Sequence, residues 1–177
     1  MKQGIFEIIE NTALTESVFR MRLRGDTSAI TAAGQFVNIQ LAGKYLRRPI
    51  SVCEVDGDVL TIVYKVVGGG TEQMSQMSCG EVLDILTGLG NGYNLDLAGE
   101  KPVLLGGGVG VPPMYELCKR LIAMGKDVKV ILGFNAKAEL FYEDEFKALG
   151  ADVTVTTVDG SYGIKGFVTD ALKSMEY

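Results

Sequence analysis

Histidine is absent from all 177 residues. With it go the Ser-His-Asp and Cys-His nucleophilic sites, the HExxH zinc site and every histidine general base. Chemistry in this chain therefore rests on a borrowed cofactor or on Asp, Glu, Lys, Tyr and Cys. Cysteine is scarce: Cys53, Cys79 and Cys118 are odd in number and widely spaced, so neither a disulfide framework nor a CxxC pair can be read. Buried thiols in a reducing cytosol are the expectation. Basic residues are outnumbered, 17 Lys and Arg against 22 Asp and Glu, for a net charge of -5. No basic run offsets that balance, which disfavours nonspecific attraction to DNA, RNA or an anionic membrane. No apolar run approaches the roughly 18 residues of a membrane span. Met1-Lys2-Gln3-Gly4 leads into an amphipathic segment with no signal-type apolar stretch. The expectation is a cytoplasmic protein without nucleic-acid or membrane partners.

Glycine is what the chain has in excess: 23 residues, nearly twice the average share of about 7%, with no G-X-Y period. Such glycines belong in loops, and loops of this kind often hold phosphates. Up to about residue 98 the sequence alternates with period 2 in short runs cut by Gly, Asp and Asn, which predicts antiparallel strands. They fall near residues 5–11, 18–23, 35–41, 50–55, 60–66 and 82–86. Asp56-Gly57-Asp58 is a hairpin turn signal, because glycine supplies the positive φ of a tight connection. Six short strands with one helical insert at 71–77 suggest a small closed barrel, since closure removes exposed edges.

After Ala98-Gly99-Glu100-Lys101-Pro102 the texture changes. Strand-like runs at 103–105, 128–134 and 153–158 alternate with helical runs at 112–124, 143–149 and 167–173. That alternation predicts a parallel sheet covered by helices. Residues 1–98 and 99–177 read as two domains.

Three constellations could carry chemistry. Gly106-Gly107-Gly108-Val109-Gly110 follows a strand and opens a helix, the placement a dinucleotide pyrophosphate needs. It matches neither GxGxxG nor a Walker A loop, and a plain glycine turn is the alternative. Pro112 and Pro113 suit a first helical turn, where a missing N–H is harmless. Arg47-Arg48-Pro49-Ile50-Ser51 opens a strand, where a guanidinium could reach a phosphate and a hydroxyl a flat ring; an exposed strand-edge arginine is the alternative. Val63-Tyr64-Lys65 runs into Gly68-Gly69-Gly70-Thr71, with Thr71 expected to cap the short helix, Tyr64 to offer a ring face and Lys65 a charge. Met74, Met77 and Met114 read as core filler, and Glu143, Asp144 and Glu145 as a solvated helix start.

In order and spacing, Leu46-Arg47-Arg48-Pro49-Ile50-Ser51, Val63-Tyr64-Lys65, Gly70-Thr71, Gly88-Leu89-Gly90-Asn91-Gly92-Tyr93 and the GGGVGVPP loop resemble the ferredoxin-NADP reductase superfamily. More closely, they are similar to the electron-transfer subunits of class 1B dihydroorotate dehydrogenase. The resemblance covers essentially the whole chain. It implies a six-stranded antiparallel FAD-binding barrel followed by a parallel-sheet NAD-binding domain. Arg48, Pro49, Ile50 and Ser51 would lie along FAD, with Arg48 at the pyrophosphate and Ser51 near the isoalloxazine. Val63, Tyr64 and Lys65 would flank the flavin, Gly70 and Thr71 would hold its pyrophosphate, and Gly107, Gly108 and Gly110 would approach NAD. It further implies an NADH-linked FAD oxidoreductase passing electrons through a [2Fe-2S] cluster to an FMN-containing dihydroorotate dehydrogenase catalytic subunit. That assembly would be a heterotetramer serving pyrimidine biosynthesis.

Relatives hold the cluster with four closely spaced C-terminal cysteines, a run this sequence lacks. The chain also ends before the strand and Cys-Gly-Pro turn that complete a nicotinamide site. The expectation is a member lacking its C-terminal part. Gly133-Phe134-Asn135 offers no arginine for a 2′-phosphate, which favours NAD over NADP, with Lys137 weighing the other way. Alternatives are another ferredoxin-NADP reductase-like or diaphorase subunit, or a noncatalytic flavin-binding docking subunit.

Overall fold

The computed structural model describes residues 1–174. Its first unit runs from Met1 to Tyr93 and its second begins at Asn94, just ahead of the 98–101 segment where the composition shifts.

The first unit is built from β1 (Lys2–Ala13), β2 (Val18–Arg24), β3 (Phe36–Gln40), β4 (Arg48–Asp56), β5 (Val59–Lys65), a short helix α1 (Gly69–Ser75) and β6 (Val82–Leu89). The strands close into a barrel in the order β1-β2-β5-β4-β3-β6, every pairing antiparallel. Closure depends on the length of β1. Its residues 2–7 pair with β6 and its residues 7–13 with β2, with a register irregularity between Ile8 and Glu10; such a bulge bends a strand enough to serve two neighbours. Gly57 turns the β4–β5 hairpin at φ 58°, as the Asp-Gly-Asp signal predicts.

Alternation sends Phe6, Ile8, Met21, Leu23, Val37, Ile39, Val52, Leu60, Ile62, Leu83 and Ile85 into one core. Each fully buried side chain of this kind is worth about 1.5–3 kcal/mol. Met74 of α1 joins that core, and Met77 packs against it, as expected of filler. Asn11 ties the helix down: its Nδ2 donates to the carbonyls of Met74 and Met77, each at 2.9 Å.

The second unit carries β7 (Val103–Gly107), α2 (Pro112–Ala123), β8 (Lys129–Phe134), α3 (Glu143–Leu149), β9 (Asp152–Thr157), β10 (Ile164–Lys165) and α4 (Val168–Ser174). The sheet order is β10-β9-β8-β7, all parallel. The two-residue β10 goes beyond the sequence expectation. Pro112 and Pro113 occupy the first turn of α2. An aromatic group including Tyr115, Tyr142 and Phe146 packs edge to face at 5.3–6.5 Å. Met114 is buried, while Glu143 starts α3 paired with Lys147 at 2.6 Å.

The cysteine expectation is corrected at one position. Cys53 and Cys118 are buried, but Cys79 is exposed, because it sits in the turn before Gly80, whose φ is 89°. Burial pushes the Cys118 thiol up to about 11.

Candidate functional site

The start of β4 and the loop before α1 meet on the barrel. Arg48, Val67, Gly68, Gly69, Gly70 and Thr71 line a hollow of about 170 Å³. Arg48 Nη1 donates to the Leu46 carbonyl at 2.6 Å, which leaves the rest of its fork against Gly70. A Cβ built on Gly70 would stand 2.7 Å from Arg48 Cζ and 2.8 Å from Nη2. No other residue type leaves the guanidinium that room. At Gly69 the nearest neighbour of a built Cβ is Lys44 Nζ, at 3.4 Å, and at Gly68 there is open space. Two cations thus converge on a glycine loop whose backbone a ligand can approach, a donor set suited to a diphosphate.

Thr71 does not stand at the cap position expected of it, though its hydroxyl accepts from the backbone N–H of the cap residue Gly68 at 3.3 Å. The helix begins at Gly69 with Gly68 as cap, and Thr71 lies in the first turn with its hydroxyl folded back. Its Oγ1 accepts from the N–H of Val67 at 2.9 Å and donates to the Gly68 carbonyl at 3.0 Å. Thr71 therefore shapes the loop and holds it closed on itself. Tyr64 is also placed differently: only 2% of it is exposed, and its hydroxyl donates to Asn11 Oδ1 at 3.1 Å. Burial raises its phenol above the ordinary value despite that bond. Its ring belongs to the core. Val63 is buried as well, while Pro49 is exposed and Ile50, Ser51 and Lys65 are half-buried. Lys44 was not legible as a site residue, because its loop carries no motif spacing.

The second unit has its own cavity, about 210 Å³, at the carboxyl ends of its parallel strands. Gly107 and Gly108 come from the end of β7 and the turn after it, Gly133 and Phe134 from β8, and Thr156 from β9. Asn135, Glu139, Val158, Gly166, Phe167 and Val168 complete the wall. Crevices at such strand ends are where α/β sheets bind nucleotides. Of the glycines expected here, Gly107 and Gly108 line the cavity and Gly110 does not. A Cβ on Gly108 or Gly110 would meet nothing within 4 Å. Asn135 closes the Gly133-Phe134-Asn135 run singled out in the sequence, whereas Glu139 carries no motif there; Asn135 Nδ2 donates to Glu139 Oε2 at 2.9 Å and lies 3.2 Å from Oε1.

Among the described residues, no group of three or more His, Cys, Asp or Glu could hold a metal ion. An iron-sulfur cluster thus has no ligand set there. Nor, among the described residues, is any helix long and apolar enough to cross a membrane.

A closed six-stranded antiparallel barrel followed by a parallel sheet with a glycine-lined cavity at its strand ends is the architecture of the ferredoxin-NADP reductase-like flavin oxidoreductases. Solved structures agree. The chain superposes with TM-score 0.86 at 34% identity on an NADH-dependent reduced ferredoxin-NADP oxidoreductase, over 95% of this chain and 62% of that one. A ferredoxin NADP+ reductase from Neisseria gonorrhoeae, with bound FAD and NADP, shares the fold at TM-score 0.82 and 18% identity, covering 100% of this chain and 82% of that one. No protein-family model matches the chain.

Individual relatives narrow the class. The dihydroorotate dehydrogenase B (NAD(+)) electron transfer subunit of Bacillus pumilus is 42% identical over 181 residues, 98% of this chain and 70% of the relative. Its namesake from Fusobacterium nucleatum is 44% identical over 175 residues, 94% and 67% respectively. The chain belongs to this family of electron-transfer subunits, and so to the electron-transfer flavoproteins.

Proposed function

We propose that the chain carries FAD on its barrel and NAD(H) on its parallel sheet. In this reading it moves electrons between NAD(H) and the FMN of a dihydroorotate dehydrogenase catalytic subunit, in pyrimidine biosynthesis. The observation that carries it is the convergence of Arg48 and Lys44 on the glycines at 69 and 70, in a chain of this family. Bound FAD supplies the redox step, taking electrons as a pair and releasing them singly.

The protein's part is to bind, orient and neutralise. Arg48 and Lys44 offset the charge of the FAD diphosphate, and residues 68–70, with Thr71 folded beneath them, let the backbone approach it. Pro49 fixes the start of β4 so that Ile50 and Ser51 run along the cofactor. Val63 and Tyr64 contribute backbone, and Lys65 a charge. Gly107, Gly108 and Gly110 let the pyrophosphate of NAD come close to the chain. Hydride transfer needs no protein base, so the absence of histidine is no handicap. The partner is the FMN-containing catalytic subunit, in a heterotetramer in the cytoplasm. No step is assigned to a [2Fe-2S] cluster, since the described residues offer it no ligands.

A second reading, a reductase serving ferredoxin, draws support from the 34% identity to the NADH-dependent ferredoxin-NADP oxidoreductase. The primary test is the visible spectrum of the purified chain before and after anaerobic NADH. A yellow protein that bleaches is expected. A colourless protein that cannot be reconstituted with FAD would sink the proposal. Reoxidation by an isolated dihydroorotate dehydrogenase catalytic subunit, set against reoxidation by ferredoxin, separates the two readings.

A further inference from the structure

The Gly88-Leu89-Gly90-Asn91-Gly92-Tyr93 run lines neither cavity. It carries the end of β6 onward as a strap laid against residues 29–36. Gly88, Gly90 and Gly92 all have positive φ, at 68°, 80° and 73°. A Cβ on Gly88 would stand 2.5 Å from the Ala29 carbonyl oxygen, and one on Gly92 2.5 Å from Ala32 Cβ. The Tyr93 N–H donates to the Ala33 carbonyl at 2.8 Å. Backbone therefore seats the strap, and one side chain fastens its middle. Gln35, only 6% exposed, donates from Nε2 to the Gly90 carbonyl at 3.0 Å. Its Oε1 accepts from the N–H groups of Thr31 at 2.8 Å and Ala32 at 3.0 Å, so both lone pairs are used and the amide has one orientation. Its own carbonyl accepts from the Val52 N–H at 3.0 Å. Gln35 thus holds the strap with its side chain and β4 with its backbone. The next residue, Phe36, pairs with Ser51 of β4 on one side and with Leu89 of β6 on the other.

We propose that Gln35 is a positioning residue for the flavin: by fastening the strap to β4 it sets where Ser51 stands, and with it the isoalloxazine. This rests on the FAD reading above, in which Ser51 runs along the cofactor while Arg48 and Lys44 hold the diphosphate. None of the bonds of Gln35 reaches either cation, so its loss acts on the ring and not on the anchor. Every partner of this buried amide is a backbone group, and removing the amide orphans three of them at once. A site that must hold its ligand within about 0.5 Å depends on supporting hydrogen bonds of this kind.

The test is visible circular dichroism of the FAD-loaded 177-residue chain. The isoalloxazine is achiral, so this signal reports the asymmetric surroundings in which the ring is held. Gln35→Met keeps the length of the side chain and removes its donor and acceptor. Gly90→Ala opens the same clasp from the strap, where a Cβ would press to 3.2 Å from the Phe36 ring at a φ that favours glycine. Both variants are expected to weaken the visible dichroism in the same way and to shift the reduction potential of the bound flavin, while the FAD dissociation constant rises by less than about tenfold. Gln35→Glu keeps an oxygen for Thr31 and Ala32 and loses only the bond to Gly90; it is expected to give the same change and decides the matter if Gln35→Met does not fold. Leu23→Ala empties part of the same core on a strand that pairs with neither β3 nor β4, and it is expected to lower the unfolding midpoint with the dichroism unchanged. Dichroism and potential that stay the same in the clasp variants, or that change as much in Leu23→Ala, overturn the role of Gln35 while leaving FAD binding intact. An unmodified chain that takes up no FAD overturns the FAD reading itself.

Discussion

The guanidinium of Arg48 occupies the space that a side chain on Gly70 would need, 2.7 Å from an ideal Cβ at its Cζ. Arginine and glycine are thus one device: the first supplies charge for a diphosphate, and the second is the only residue that lets it reach the loop. Gly70→Ala is expected to dislodge the arginine and to weaken FAD retention by roughly ten- to a hundredfold, the worth of a charge-assisted contact. Arg48→Ala should do the same, and the double variant should lose little more than either alone, since both remove one interaction. Fluorescence titration of FAD into the apoprotein measures all three. Additive losses would separate the two residues.

Asn11 joins three segments from its place on β1: it receives the Tyr64 hydroxyl of β5 and donates to the carbonyl of Met74 in the last turn of α1 and to that of Met77 just beyond it. Asn11→Ala strands those groups and is expected to cost about 1–3 kcal/mol in urea unfolding. Tyr64→Phe leaves an orphaned acceptor and should cost about 1 kcal/mol. Because Gly69 and Gly70 form the first turn of α1, Asn11→Ala is also expected to lower FAD affinity. Full stability in that variant would show that α1 is held by its methionines alone.

The barrel could be read from the sequence because strands such as β3 and β6 show period-2 burial and the turns carry glycine where positive φ is required, as at Gly57. Tyr64 escaped that reading. In β5, residues 60–64 are all buried, so alternation cannot say which side chains face the core. The start of α1 lies ahead of the expected position because three consecutive glycines present no side chain to mark a cap, and Thr71 is the first residue that can. The two-residue β10 has both side chains exposed and exists through its pairing with Thr156 and Thr157, a tertiary fact without a local pattern. Lys44 and Glu139 reach their sites from loops, where position follows from the fold and not from spacing.

Thiol reactivity follows from burial. Cys79 is exposed, Cys53 and Cys118 are buried, and the Cys118 thiol is pushed up to about 11. At pH 8 only Cys79 is expected to react promptly with Ellman's reagent, and the other two should appear on unfolding in urea. Prompt labelling of all three would mean that the cores of both units open readily.

Glu10 meets Arg20 at 2.6 Å and Arg22 at 3.7 Å just past the irregularity in β1. Burial raises its carboxyl, but the Arg20 hydrogen bond and the charges of Arg20 and Arg22 outweigh it and hold it below its ordinary value. A lowered folded-state value means that the pair stabilises fully above the ordinary carboxylate range and that this is lost as pH falls through the folded value. Glu10→Gln is expected to be less stable than the unmodified chain at pH 7, by about 1 kcal/mol or less. The gap should narrow in urea titrations as the pH falls below the ordinary carboxylate range. A gap that does not change with pH would remove the ion pair from the account.

Gly110 offers the cleanest probe of the second cavity's approach. Its φ is not positive, and a Cβ there meets nothing within 4 Å, so Gly110→Ala leaves the protein unstrained. Gly133→Ala is different, since its Cβ would stand 2.6 Å from Val168 Cγ1 at the start of α4, and an overpacked site of that kind typically costs about 1–3 kcal/mol. Gly110→Ala is therefore expected to keep its unfolding midpoint and its FAD while losing affinity for NAD, because only an incoming pyrophosphate would collide with the new methyl group. Calorimetry with NAD, read beside the melting curve, decides it. Unchanged affinity would mean that the dinucleotide does not pass over Gly110.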